Sequence, residues 1–274
     1  MFDLDAYLAR IGLAGRPGIA EVHRAHVTSI PFENLDPRRG EPVSLTLEDV
    51  QRKLVTARRG GYCFEQNLLL KGALESLGAH VEPMLARVRV GSKPGVTRPR
   101  SHLLLRVTTG SVPWHADVGF GLRTPLEPLP FGPGDEHDQA GWRYRVVQDG
   151  PELVLQSVDG DMWFDMYSFL PEPVPMVDIE TSSWFTSTHP RSPFVTGLIV
   201  SRQDEDGTRV SLSDWGGLEL AVQTPEHERM TPVAFEDVPL LLSEHFALGS
   251  FALDGGGRLV PVTSGQPGGP SAPG

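Results

Sequence analysis

One cysteine occurs in the chain, Cys63, and around it lie the side chains whose types and spacing can do chemistry. Cys63 follows Gly60-Gly61-Tyr62 and opens a segment whose helical periodicity runs to Gly78. The two glycines let the backbone turn sharply, and the thiol then sits at a helix N-terminus, where unpaired N–H groups and the macrodipole favour an anion. With a cation beside it, such a cysteine has its pKa lowered from about 8.5 to between about 3.5 and 7.5, and the thiolate is the nucleophile. Outside such a setting a lone cysteine is simply a small buried hydrophobe.

The base comes from the hairpin that follows. His102 opens an alternating run, Thr109-Gly110-Ser111 supplies the turn, and Asp117 closes the returning strand. A two-residue turn at Thr109-Gly110 sets His102 opposite Asp117. One at Gly110-Ser111 makes them diagonal neighbours on one face, about 7 to 8 Å apart at Cα. Either register lets a carboxylate reach an imidazole, whereas a three-residue loop would put the two on opposite faces. Taken singly, His102 is a half-buried strand residue and Asp117 a turn residue before Gly119. Cys, His and Asp in this order and placement make a thiol triad.

Those residues need elements to position them. Leu4, Tyr7, Leu8 and Ile11 recur at helical spacing before Gly12, as do Ile19, Val22 and His26 before Pro31. Thr46 with Asp49 resembles a capping box, and Leu47, Val50 and Leu54 share one face until Gly60-Gly61. The helix opened by Cys63 carries the stripe Cys63, Asn67, Leu70, Leu74 and Leu77. From about Val81 the period becomes two, over 84–90, 102–107, 112–118, 142–148, 153–158 and 162–169. Helices followed by runs of strands predict an α+β arrangement with a curved antiparallel sheet or barrel in the middle. A hairpin over 194–202 and 208–212 and a helix near 239–247 follow, and the Gly-, Pro- and Ser-rich tail over 264–274 is expected to be disordered.

Composition bounds the partners. The 274 residues can bury a real interior, and a single cysteine excludes an intrachain disulfide framework and points to the cytoplasm. No leader pattern opens the chain and no long apolar run crosses it, so secretion and membrane spanning are not expected. A net charge of −11 argues against nucleic acid as a partner. His23 and His26, three apart on a helix, find no third ligand with suitable spacing, so no metal is expected and both read as surface or packing residues. His115 shares a face with Asp117 and is a rival partner for that carboxylate, and His189 marks a turn before Pro190.

The segments Arg59-Gly-Gly-Tyr-Cys-Phe-Glu-Gln-Asn67, Ser101-His102-Leu-Leu-Leu105 and Asp117-Val-Gly-Phe-Gly121 resemble the arylamine N-acetyltransferase family. Pro31-Phe-Glu-Asn-Leu35 and Ser187-Thr-His-Pro-Arg-Ser-Pro-Phe194 strengthen the likeness, which spans roughly residues 1 to 200. The resemblance implies a helical N-terminal domain, a β-barrel-like domain and an α/β lid around a core related to cysteine proteases and transglutaminases. The division follows as 1–80, 81–180, 181–263 and the tail over 264–274. It implies acetyl-CoA as donor, an arylamine or hydrazine as acceptor, and Cys63, His102 and Asp117 as nucleophile, base and orienting carboxylate of a ping-pong transfer.

By the same likeness Phe32, Phe120 and Phe194 line the aryl slot, while Arg98, Ser101 and Gly121 contact CoA. Because CoA is anionic and the chain acidic, positive charge must be concentrated locally, and Arg87, Arg89, Lys93, Arg98 and Arg100 form the strongest basic cluster. Arg59 and Glu33 read as an ion pair bracing the cysteine loop. Two rivals remain open: an amide synthase or thiol hydrolase using the same triad on another acceptor, and a scaffold that only binds. The sequence leaves the oligomeric state open.

Overall fold

The structure, a computed structural model, describes residues 2–93, 95–249 and 251–262. The tail over 264–274 lies outside the described residues. Helix α1 (Leu4–Arg10) starts where Asp3 accepts the Ala6 N–H at 2.9 Å, and α2 (Ile19–Ser29) where Glu21 accepts the Gly18 N–H at 2.7 Å. Strand β1 (Phe32–Glu33) and α3 (Leu35–Arg39) lead to α4 (Leu47–Gln51), which Thr46 caps as expected. That helix does not continue regularly to Gly60: it passes into a π-helical turn, Arg52–Thr56, before the cysteine loop. Helix α5 (Cys63–Ser76) follows. The stripe expected for α5 underestimates its burial, because every residue from Cys63 to Leu70 is inside.

Strands β2 (His80–Val88), β3 (His102–Thr109), β4 (Val112–Ala116), β5 (Leu129–Pro130), β6 (His137–Gln139), β7 (Trp142–Asp149), β8 (Glu152–Asp159) and β9 (Met162–Phe169) form one antiparallel sheet in the order β5-β4-β3-β2-β9-β8-β7-β6. It curves into an almost closed barrel, helped by the register shift between Leu155 and Gln156. Met84, Leu104, Tyr144, Leu155, Met166 and Phe169 fill its inside. Its other face, through Leu105, Val107 and Ala116, joins Tyr7, Leu8, Val22, Leu69, Leu70, Ala73 and Leu74 of the helices. Full burial of each large apolar side chain is worth about 1.5–3 kcal/mol, so this shared core welds the first helices to the barrel.

The chain then forms α6 (Met176–Thr188) and α7 (Pro193–Thr196). Strands β10 (Ile199–Gln203), β11 (Arg209–Ser213), β12 (Glu219–Gln223) and β13 (Glu228–Pro232) build a second antiparallel sheet. Helix α8 (Val238–Phe246) and the hairpin β14 (Phe251–Leu253) with β15 (Leu259–Pro261) complete the described chain. The second sheet begins with a strand from far upstream: its order is β1-β10-β11-β12-β13. Its apolar face, Val200, Val210 and Leu212, packs on Val238, Leu242 and Phe246 of α8. The fold is α+β, with a helical N-terminal part, a central antiparallel barrel-like sheet and a C-terminal α/β layer. Among the described residues no helix is long and apolar enough to cross a membrane.

Candidate active site

Gly60 and Gly61 shape the loop before Cys63 through closeness, since neither has a positive φ. A Cβ on Gly60 would lie 2.2 Å from the Pro31 carbonyl oxygen, and one on Gly61 2.8 Å from Glu65 Oε2. The loop is held flush by the Glu33 N–H donating to the Gly61 carbonyl at 3.1 Å and by Gln66 Nε2 donating to the Pro31 and Gly61 carbonyls. Glu65 accepts the Tyr62 N–H at 3.2 Å, which starts α5. The expected Arg59–Glu33 pair is present at 2.6 Å, inside a larger network: Arg59 also meets Asp36 at 2.9 Å, and Lys53 bridges Asp36 and Glu65, each at 2.7 Å. Burial pushes the Glu65 carboxyl up to about 6 against the pull of Lys53.

The hairpin that carries the other two residues turns at Gly110-Ser111. Thr109 pairs with Val112 and Leu105 with Ala116, and Gly110 takes φ 62°. His102 is therefore the first residue of β3 and Asp117 lies one past the end of β4, diagonal to it. The His102 Nε2 to Asp117 Oδ2 distance is 2.7 Å. Asp117 accepts three further bonds: Tyr167 O–H to Oδ2 at 2.7 Å, and to Oδ1 Asn67 Nδ2 and the Gly119 N–H, both at 2.9 Å. Burial alone would raise this carboxyl, but the His102 charge and these donors hold it well below the usual carboxylate range. Burial likewise opposes an imidazolium, yet the charge and hydrogen bond of Asp117, with a smaller part from Cys63, raise His102 to about 10.

With Nε2 committed to Asp117, the remaining ring nitrogen, Nδ1, is the one left for the thiol. Cys63 Sγ sits 3.8 Å from the Ser101 carbonyl oxygen, immediately before His102. Gly119 allows this closeness: a Cβ there would lie 2.7 Å from Cys63 Cα and 2.8 Å from Asn67 Nδ2. Cys63, His102 and Asp117 are thus brought together from the start of a helix, the start of a strand and the end of another, and all three are buried.

Two supporting residues were not singled out from the sequence. Asn67 is one helical turn below Cys63, a spacing visible in the stripe, and besides Asp117 it serves the Leu103 carbonyl at 2.7 Å and the Val118 N–H at 3.1 Å. Tyr167 had no local signal. It reaches Asp117 because β2 pairs Ala86 with His102 on one side and Val88 with Tyr167 on the other.

Of the remaining histidines, His23 and His26 take the packing role and His189 opens a turn, its carbonyl accepting the Ser192 N–H at 2.8 Å, while His115 departs from expectation. His23 and His26 are fully enclosed, as packing residues. The Asp117 N–H donates to His23 Nε2 at 3.1 Å, so His23 Nδ1 carries the proton it gives to the Leu126 carbonyl. His26 bonds Tyr7 and Gln66, and the same Gln66 braces the cysteine loop. Burial lowers His23 to about 4 and His26 to about 3. His115 does not touch Asp117 directly; the Tyr167 hydroxyl stands between them, 2.7 Å from each. His189 ends α6 and stacks on Phe185.

Phe120 stands edge-on to His102 with ring centres 5.1 Å apart. Phe32 and Phe194 are 6.1 Å apart, and Phe194 is 5.8 Å from Tyr62. Phe194 lies on α7 rather than on a strand, because Ser192 accepts its N–H and Pro193 starts a helical turn; the strand begins only at Ile199. Gly121 has φ 82°, with Ser201 Oγ and the Phe32 ring at 3.4 and 3.5 Å from where a Cβ would stand.

The basic cluster is partly spent internally. Arg89 pairs with Asp149, Glu152 and Asp165, and the Arg98 guanidinium donates to the Val90 and Gly91 carbonyls. The stretch still borders a cavity of about 780 Å³ lined by Arg87, Lys93, Arg98, Trp163 and Ser168 among others. Among the described residues no group of three or more His, Cys, Asp or Glu side chains could hold a metal ion.

Comparison with known proteins gives a consistent result. A family model described as N-acetyltransferase matches residues 18–250. An arylamine N-acetyltransferase of Mycolicibacterium smegmatis is 41% identical over 213 residues, which cover 74% of this chain and 78% of that protein. A Salmonella typhimurium protein described as an arylamine N-acetyltransferase / N-hydroxyarylamine O-acetyltransferase is 32% identical over 254 residues, 90% of this chain and 89% of the other. The solved structure of Mycobacterium marinum arylamine N-acetyltransferase in complex with CoA aligns at a TM-score of 0.85 and 36% identity, covering 90% of this chain and 93% of that one.

Proposed function

The chain belongs to the arylamine N-acetyltransferase family, and from that premise we propose that it moves an acetyl group from acetyl-CoA to arylamines and hydrazines through Cys63, His102 and Asp117. The observation that carries this reading is the bonding of His102: Nε2 is held by Asp117 at 2.7 Å, which turns Nδ1 toward the sulfur at the start of α5.

In the first half-reaction His102 takes the thiol proton and the Cys63 sulfur attacks the acetyl carbon. The carbon–sulfur bond to CoA breaks, and the departing CoA sulfur receives the proton from His102. Backbone N–H groups at the start of α5 are suited to the oxyanion, a donor being worth about 2.7–4 kcal/mol in such sites. In the second half the amine attacks the S-acetyl group, His102 accepts its proton, and the thiol is regenerated. The order is ping-pong. Asp117 holds the imidazole in one tautomer throughout and stabilises its charged form. Phe32, Phe120 and Phe194 form the aryl wall, with Phe120 nearest the base.

The CoA-bound relative supports acetyl-CoA as donor. Ser101, whose carbonyl is 3.8 Å from Cys63 Sγ, and Gly121, beside Phe32, are assigned to the thioester, and Arg98 lines the basic cavity, where the anionic end of CoA would find positive charge. A single buried thiol fits work in the reducing cytoplasm. The divisions 1–80 and 81–180 carry the sulfur and the His–Asp pair, and the acceptor wall takes one phenylalanine from each of 1–80, 81–180 and 181–263.

The test is intact-mass analysis after mixing with acetyl-CoA and no amine. One added acetyl on Cys63, absent in Cys63→Ala, is the expected result; no adduct at any time removes the transferase. Offering the acetylated protein aniline, a hydrazine and water in turn then separates transfer to nitrogen from hydrolysis.

A further inference from the structure

We propose that His115 is a positioning residue for the acetyl transfer, acting through Tyr167 to fix the hydrogen bond that Asp117 receives. This rests on the triad reading above. The Tyr167 hydroxyl has one proton and two partners, Asp117 Oδ2 and His115 Nε2, both at 2.7 Å. An ionised carboxylate has no proton to give. The phenol therefore donates to Asp117, and His115 must donate from Nε2 to the phenol oxygen. That assignment leaves His115 Nδ1 as a bare lone pair, and Nδ1 is among the buried polar atoms that find no hydrogen-bond partner.

The imidazole is locked in place. It is buried, parallel to Tyr167 within 14° and 5.3 Å from the Phe169 ring centre. The ionisable groups that face it are Asp117, Tyr167, His102 and His23, with Tyr144 behind Tyr167. Burial keeps His115 neutral by lowering it to about 4, against the attraction of Asp117, so it remains a one-way donor in any neutral solution.

The consequence falls on His102. Oδ2 of Asp117 is shared between the Tyr167 O–H and the His102 N–H, so charge drawn toward the phenol is withdrawn from the imidazole. Removing the His115 donor weakens the phenol as a donor and leaves more of that charge for His102. The imidazolium then becomes harder to deprotonate, and it yields its proton less readily to the departing CoA sulfur.

The experiment compares His115→Leu and His115→Gln, each alone and combined with Tyr167→Phe, by the rate of Cys63 acetylation and by NMR titration of His102. His115→Leu should slow acetylation about 10-fold, a loss typical of outer residues that orient a working group. The acetyl-CoA concentration for half-saturation should stay unchanged and the His102 midpoint should move to higher pH. His115→Gln, which keeps an N–H, should restore both values. On Tyr167→Phe the two substitutions should be equal. An equal loss from leucine with and without the Tyr167 hydroxyl would overturn the proposal, as would a leucine variant matching the parent. Should the leucine chain not fold, His115→Met replaces it under the same criteria. Failure of the triad reading is distinguishable, because the parent protein itself would then take up no acetyl group.

Discussion

Asn67 stands one turn of α5 below Cys63 and donates to Asp117 Oδ1 at 2.9 Å. The same side chain serves the Leu103 carbonyl and the Val118 N–H, so a single amide ties the sulfur's helix to the segments that carry His102 and Asp117. Asn67→Ala strands a buried carbonyl and a buried N–H, each costing about 1–3 kcal/mol. The expected loss in urea unfolding is therefore about 3 kcal/mol, and a change below about 1 kcal/mol would show that the amide joins nothing of consequence.

Asp117→Asn keeps the shape of the site but offers an amide N–H to His102 Nε2, which favours the wrong tautomer. The corresponding change in a serine triad lowers turnover about 10⁴-fold, and a loss of that order is expected in Cys63 acetylation. Circular dichroism should show an unchanged fold. Acetylation at the parent rate would remove the carboxylate from the mechanism.

Stability should depend on pH in two directions. His102 is raised from 6.5 to about 10, so its contribution is complete below 6.5 and is lost as pH rises through about 10. Asp117 is depressed, so its contribution is present above its ordinary value of 3.8 and disappears as pH falls below that. Subtracting the unfolding free energy of Asp117→Asn from that of the parent should give a plateau between these limits, falling at both ends. A difference independent of pH would contradict the buried ion pair.

Gly119→Ala places a methyl group 2.7 Å from Cys63 Cα. Cys63 and Asn67, the residues it would meet, are both buried on α5, so overpacking should cost about 1–3 kcal/mol. The displaced sulfur should also acetylate more slowly. Parent-like melting and acetylation together would mean that the start of α5 can yield.

Phe120→Ala opens space beside the His102 ring without removing a polar group. Relative rates among arylamines of different bulk should change more than half-saturation by acetyl-CoA. A uniform loss across all amines would assign Phe120 to support of His102 instead of the acceptor slot.

Much of the site was legible because its parts are local. The helix beginning at Cys63 and the hairpin between His102 and Asp117 announce themselves by period and by a glycine turn, and Thr46 marks its helix by capping chemistry. What stayed hidden depends on partners distant in sequence. Tyr167 reaches Asp117 only through the pairing of β2 with β3 and β9, and His23 turns inward because the Asp117 N–H needs an acceptor. Phe194 read as strand because its apolar neighbours suit one, while Ser192 and Pro193 impose a helical turn. The basic residues could be counted, but the three carboxylates that consume Arg89 come from other strands.

The short strand Phe32–Glu33 is stitched on one edge to Ser201 and Val200 and on the other to Gly61. A growing polypeptide therefore cannot finish the platform under the Cys63 loop until β10, about two hundred residues in, has been synthesised. Fragments ending before β10 leave that edge of Phe32–Glu33 unpaired and should fail to take up an acetyl group from acetyl-CoA.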